Sequence, residues 1–171
     1  MDAYLAVASK REVRAYAPRP LDEAAERRIL DAGRVAGSSK NRQARRFVVV
    51  RDEALREDVA ASVYNGEAVR GAALVVAIVI GGKGPTSFDA GRAAQNMMLA
   101  ASNDGIGSSP NGIADAERLR AALGHGEEES AAIVLTFGYP ARPARSPESL
   151  PAEEWIASAD RRPREEIVEE L

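Results

Sequence analysis

The sequence predicts an α+β fold, and three observations lead there. Helix-like and strand-like segments are interspersed along 171 residues of 45% hydrophobic content, enough for one domain with its own core. Two helix-like segments precede the first strand run, and a pair of helices separates that run from the next, so the spacing is not a regular βαβ series. No strand run is followed by Gly-x-Gly-x-x-Gly, which removes the dinucleotide fingerprint of a doubly wound sheet. No linker or repeat divides the chain, so residues 1–171 read as a single domain with 141–171 as an extended C-terminal tail.

Residues 3–9 read as a short helix, and Pro18 and Pro20 break any continuation. Leu21-Asp22-Glu23 opens a helix in which Ala25, Ile29, Ala32 and Val35/Ala36 recur at helical spacing, with acids in its first turns to suit the helix dipole. Phe47–Val50 is short, apolar and β-branched and reads as a buried strand. Residues 53–63 form an amphipathic helix, and a second short helix begins near Glu67. Residues 73–80 make the central strand, too short for a membrane span and too β-branched for a favoured helix. A glycine-rich turn at 81–85 lacks the Gly-Lys-Ser/Thr ending of a phosphate loop. Phe88–Asn103 is a helix with small residues suited to close packing, inside the subunit or across a dimer. Gly105–Gly112 reads as a polar loop, Asp115–Leu123 as a helix closed by Gly124, and Ala131–Phe137 as the last strand. The tail holds the only tryptophan, Trp155, which with Ile156, Ile167 and Val168 needs a surface to lie against.

Composition narrows the chemistry. With no cysteine there is no disulfide, thiolate nucleophile or thiolate metal site, and one histidine excludes a His-rich metal cluster. No metal site is expected. His125, near the end of a helix, reads as a surface residue. Net charge is −3, and Arg42, Arg45 and Arg46 read as solvated loop and strand-edge charge. None of the eight aromatics (one Trp, four Tyr, three Phe) interleaves with basic residues, so nucleic acid is not an expected partner. Neither is a membrane. Met1-Asp2-Ala3-Tyr4 lacks the pattern of a signal peptide, and the cytoplasm is the default expectation.

The polar segment Gly37-Ser38-Ser39-Lys40-Asn41-Arg42-Gln43 lies where a helix hands over to a strand, and it can turn amides and hydroxyls toward one planar ligand. Its bland reading is a set of caps and turns. Arg11 and Arg14 read equally as partners of Glu12 and Asp22, Asn65 as an N-cap, and Gly105 and Gly107 as a helix end and tight turn.

Taken in order, these blocks resemble the nitroreductase family. The resemblance rests on Lys10-Arg11-Glu12-Val13-Arg14, the loop Gly37 to Arg45, Asn65 before the second strand, the helix Asp89 to Ala101, Gly105 to Gly112, Gly138-Tyr139-Pro140 and Arg161-Arg162-Pro163-Arg164-Glu165-Glu166. It covers nearly the whole chain, and the ordered set is more specific than any block. It implies a central, mainly antiparallel sheet flanked by helices, with a tail wrapping the partner of a homodimer. It implies FMN as cofactor and NAD(P)H as donor, with hydride passed in ping-pong order to a nitroaromatic, quinone or related small-molecule acceptor. The flavin carries the chemistry, so no catalytic side chain is expected. Lys10, Arg11, Arg14 and Arg161 become the phosphate cations. Ser38, Ser39 and Asn41 serve the ribityl chain and the ring from the other subunit. Asn65 reaches the ring's polar edge, and Pro110, Asn111 and Gly112 lie beneath it. The departures are Glu12 in place of Ser, Gly37 in place of Pro, and Ala44-Arg45 in place of Pro-Trp, which leaves the loop less stiff. They keep open a degenerate flavin-binding or storage protein, or a deazaflavin-using reductase on the same fold.

Overall fold

The computed structural model describes residues 2–171, and its packing forms two compact units. The larger, Arg11–Ala144, is built on a four-stranded sheet. Its strands are β1 (Arg45–Val49), β2 (Leu74–Gly81), β3 (Gly107–Asn111) and β4 (Glu129–Gly138), in the order β1-β2-β4-β3 with every neighbour antiparallel.

The continuous apolar run of β2 has a direct cause. Alternate residues face opposite sides of a sheet, and both sides are covered. Leu74, Val76, Ile78 and Ile80 pack into one core with α2 (Glu23–Arg34) and α5 (Thr86–Asn103). Val75, Ala77 and Val79 pack into the other, against α3 (Glu53–Ala61), α4 (Gly66–Gly71) and α6 (Ala116–Leu123). The register slips between Ile78 and Val79, so that β4 carries Ala132 as an extra residue, a bulge that bends the sheet locally.

Three helix starts of this unit are set by aspartates. The carboxylates of Asp22, Asp52 and Asp115 accept from the backbone N–H of Ala25, Leu55 and Arg118 at 2.7, 2.8 and 2.9 Å. Gly124, at φ +62, supplies the left-handed residue that closes α6. The small residues of α5 are used inside the subunit: Ala90, Ala93, Ala94, Met97 and Ala101 are buried against α2 and the sheet. Gly33 of α2 lets Met97 approach, since a Cβ there would lie 2.7 Å from the methionine sulfur.

The smaller unit holds the described residues up to Lys10 together with Arg145–Leu171. Here α1 (Ala3–Ser9), capped by Asp2, packs against α7 (Ala152–Ala157). Trp155 is buried within this unit, its indole Nε1 donating to Pro147 O at 2.8 Å. The surface that Trp155 needs is therefore supplied by its own chain, while Ile156, Ile167 and Val168 stay exposed.

Three readings of the sequence change. Residues 107–111 form an edge strand, not a loop, because tertiary pairing with β4 overrides the weak strand preference of Gly-Ser-Ser-Pro-Asn. The first strand is half-buried, since it is the other edge of the sheet. Of the alternatives Val35/Ala36, the buried one is Ala36, as that reading allowed. His125 is buried, not on the surface, with Nδ1 3.3 Å from Gly126 O and Nε2 without a partner.

Candidate functional site

The larger unit gathers several predicted residues along β3. At its start, Glu12 bridges in parallel to Ser108, and Val13 N–H donates to Ser108 O at 2.9 Å. This fixes Arg11 and Arg14, both exposed, beside the first half of the strand. Gly107 permits the approach, because a Cβ there would sit 2.6 Å from that of Val13. At the other end, Tyr64 N–H donates to Gly112 O at 3.0 Å, and Val63 bridges to Ile113. Asn65 follows immediately, its Oδ1 accepting from Ala68 N–H at 3.3 Å as the N-cap of α4. The cap reading of Asn65 thus holds, and the cap also carries the residue to the Gly112 turn.

Asn111 is buried, and its side chain is turned into the protein. Its Nδ2 donates to Ser109 O, Val134 O and Thr136 Oγ1 at 3.1–3.2 Å, while Oδ1 has no partner. Thr136 Oγ1 also meets Tyr16 Oη at 2.8 Å, and Tyr16 Oη donates to Val13 O at 2.7 Å. A buried polar chain therefore runs beneath β3 from Asn111 to the segment carrying Arg11 and Arg14. Burial chiefly pushes the Tyr16 phenol up to about 12, against a smaller opposing effect of the Thr136 hydrogen bond.

The loop from Gly37 to Gln43 is built differently. Lys40, Asn41 and Gln43 sit at φ +51, +52 and +52, a region that non-glycine residues seldom occupy. Side chains hold the strain in place. Ser38 Oγ accepts from Gln43 N–H at 2.9 Å, and the buried carboxylate of Asp89 accepts from Ser39 N–H at 3.0 Å. Arg92 fills the space over Gly37, where a Cβ would lie 2.7 Å from its guanidinium. The loop that lacks Pro and Trp is thus pinned by α5.

The arginine cluster read at this loop comes apart. Arg46 makes a two-point pair with Glu129 at 3.1 Å on each arm. That pair, with Gly126 N–H in support, holds the Glu129 carboxyl down to about 2. Arg45 reaches beneath the end of α2, where Nη2 donates to Ala36 O and, at 3.4 Å, to Gly33 O. Arg42 Nη1 lies 3.3 Å from Ser39 Oγ. Lys10 and Arg161 belong to the smaller unit, where Arg161 is exposed and donates to Ala159 O at 2.7 Å.

The model of the family described as "Nitroreductase family" matches residues 7–80 and 85–139. The chain belongs to the nitroreductase family. An Archaeoglobus fulgidus protein with the provisional name NADH dehydrogenase/NAD(P)H nitroreductase is 29% identical over 142 residues, 77% of this chain and 82% of its own. Among solved structures, a provisionally named nitroreductase from Desulfovibrio desulfuricans in complex with FMN superposes with a TM-score of 0.83 at 29% identity, covering 100% of this chain and 98% of that one. A nitroreductase family protein of Clostridium difficile superposes at 0.82, with 21% identity and 99% and 98% coverage. It shares the fold.

Within this nitroreductase fold, three residues went unread in the sequence. Asp89 is a single acid in a first helical turn, with no signal to mark its hold on Ser39. Arg92 gains its role only because Gly37 leaves room for it. Tyr64 is 81% exposed, and its ring lies 3.2 Å from where a Gly112 Cβ would sit. A large exposed aromatic directly before Asn65 is the one signal that could have been noticed. A separate cleft of about 340 Å³, lined by Ile113, Ala116, Arg120, His125 and Glu127 among others, includes none of the predicted residues.

Proposed function

We propose that this member of the nitroreductase family is an FMN-dependent oxidoreductase that passes hydride from NAD(P)H to a nitroaromatic, quinone or related small acceptor in ping-pong order. One observation carries the reading. The edge strand β3 has two arginines beside Ser108 and an amide-bearing turn beside Gly112, four residues or roughly 13 Å of extended chain away. A phosphate joined by a ribityl chain to a flat ring calls for that layout. The Desulfovibrio protein, solved with FMN and related along the whole chain, supports the same cofactor.

In this reading Arg11 and Arg14 neutralise the phosphate through charge-assisted hydrogen bonds, and Lys10 is added to them by the resemblance alone. Arg161 joins them on the strength of the resemblance. Asn65 meets the polar edge of the ring. Pro110, Asn111 and Gly112 lie beneath it. FMN, when bound, supplies the hydride chemistry, and the protein supplies position and field. No side chain is assigned as an acid or base.

The proposal includes a homodimer in the cytoplasm in which Ser38, Ser39 and Asn41 serve the ring held by the second copy and the tail wraps the neighbour. With Trp155 and the small residues of α5 covered within the subunit, support for the dimer comes from the resemblance and from the exposed Phe88, Tyr4, Val7 and Ile156. Among the described residues, no helix is long and apolar enough to cross a membrane.

The test is reconstitution with FMN, followed by anaerobic NADPH or NADH and then a nitroaromatic. Flavin colour should be retained, bleach with the donor and return with the acceptor. A colourless protein that takes up no FMN sinks the reading, and uptake of deazaflavin in its place redirects it. Light scattering of the loaded protein and of a 150–171 deletion checks the dimer. A flavin-loaded monomer would remove Ser38, Ser39 and Asn41 from the site.

A further inference from the structure

The sheet unit carries its arginines in two ways. Many are neutralised: Arg28 with Asp104, Arg51 with Glu26, Arg70 with Glu57 and Arg118 with Asp58, at 2.5–2.9 Å. Among the described residues Arg14, Arg19 and Arg27 stand singly without a carboxylate, whereas around the loop several cations without one are gathered. Lys40, Arg42, Lys83 and Arg92 are all exposed, and among the described residues none of them pairs with a carboxylate. They come from three segments that the fold brings together. Arg92 lies over Gly37, and Arg42 Nη1 would be 3.1 Å from a Cβ on Gly84, next to Lys83. Two of the acids nearby are already engaged, and Glu128, exposed beside Gly81, pairs with none of the four cations. Asp89 is buried and accepts from Ser39 N–H, and Glu129, packed against Gly81, is held by Arg46. What is left is a rim of four positive charges facing solvent, with the exposed ring of Phe88 beside Arg92.

Like charges brought together without counter-charges repel one another, and folding alone gains nothing from that arrangement. A ligand that brings the missing negative charge recovers the cost. The cofactor phosphate is not that ligand, since its proposed cations are Arg11 and Arg14 along β3. The strained backbone at Lys40 and Asn41 adds weight, because such strain persists where a site uses it.

We infer that Lys40, Arg42, Lys83 and Arg92 form a recognition rim for an anionic group, a phosphate or carboxylate, on the molecule that exchanges electrons with the flavin. The inference rests on the proposed placement of the Ser38–Asn41 loop at the ring. Two molecules can bring the anion: the donor, as the extra phosphate of NADPH, or the acceptor, as a carboxylated aromatic.

The experiment uses the FMN-loaded protein and a Lys40→Ala/Lys83→Ala variant, two exposed side chains without a hydrogen bond or ion pair among the described residues. FMN affinity is measured first. Binding of NADP+ against NAD+, and of 4-nitrobenzoate against neutral 4-nitrobenzamide, is then titrated calorimetrically at about 0.01 M and about 1 M salt, where screening lengths are about 30 and 3 Å. The unmodified protein should favour the charged member of one pair at low salt and lose that preference at high salt. The variant should keep its FMN affinity and lose about two- to fivefold of the preference per charge removed. A loss in the nucleotide pair assigns the rim to the donor, and a loss in the nitroaromatic pair assigns it to the acceptor. A preference absent from the unmodified protein, or intact in the variant, overturns the inference. So does a fall in FMN affinity, which would make these cations part of the cofactor site. Failure of the unmodified protein to bind FMN shows up before any titration and overturns the functional reading itself.

Discussion

The segments 37–43 and 107–112 are both polar, bear glycine and paired serines, and contain an asparagine, yet they reach opposite structural states. The second lies in a sheet. Its backbone pairs with β4 from Gly107 to Asn111, its two serines are buried, and its asparagine side chain is spent on three internal acceptors. The first has no strand beside it. Its backbone adopts left-handed angles at three non-glycine residues, and one of its own serines, with one aspartate and one arginine from α5, holds it there. The difference lies in where the backbone N–H groups find acceptors. A neighbouring strand supplies them in a row and needs no particular side chains. A free loop needs one side chain for each group left over. The loop should therefore be sensitive to single side-chain deletions, and the strand should be sensitive to whatever disturbs the sheet behind it.

The largest effect expected is on cofactor binding. Charge reversal at Arg14, beside the strand, or at Arg161, which the resemblance alone adds to the proposed site, should weaken FMN binding by about 1.5–3 kcal/mol, one to two decades in affinity, with little change in melting temperature. Fluorescence titration of both variants checks this, and unchanged affinity in both would show that the phosphate lies elsewhere.

Next comes the loop. Asp89→Ala removes the acceptor for Ser39 N–H and should cost about 1–3 kcal/mol of stability. It should also raise hydrogen exchange across 38–43 while leaving β3 protected. Equal loosening of both segments would erase the contrast between them.

Tyr16→Phe probes the strand from behind and should cost about 1 kcal/mol, measured by urea unfolding. Tyr16 also gives a pH signature. Its folded value of about 12 lies above the ordinary 10, so the neutral form is the one the fold favours. That stability is present below pH 10 and is lost as pH rises toward 12. The alkaline slope should flatten in the Phe variant, and an unchanged slope would place the cause elsewhere.

The smallest effect belongs to the exposed Arg46–Glu129 pair. Glu129 is held near 2 against an ordinary 4.5, so its contribution is present above about pH 4.5 and fades as pH falls toward 2. Glu129→Gln should change melting temperature only slightly at pH 7 and not at all near pH 2, with neither segment altered.

Much of this fold was legible because the signals were local. Asp22 and Asp115 mark helix starts, Gly124 marks a helix end, and the apolar run of β2 declares a strand covered on both faces. β3 was not legible, since nothing within Gly-Ser-Ser-Pro-Asn selects a strand and the choice is made by β4, more than twenty residues later. His125 was misread because the turn at Gly124 sets which way the ring faces. In the site, Arg11, Arg14, Asn65 and Gly112 could be picked out as residue types in order. Their convergence on one strand depends on the bridge to Ser108 and the turn at Tyr64, which no local pattern encodes.

Pro110 has a consequence for behaviour in solution. β3 is an edge, joined to β4 on one side and, among the described residues, bridged on the other at Ser108. An edge with free N–H groups is a template on which a second chain can add a strand, and unliganded protein would present it to every neighbour. Proline within an edge strand is accommodated with its nitrogen toward the unpaired side, where it offers no donor. The same residue that would lie beneath a bound ring in the proposed site therefore also blunts the edge, by withholding a donor at the middle of the strand.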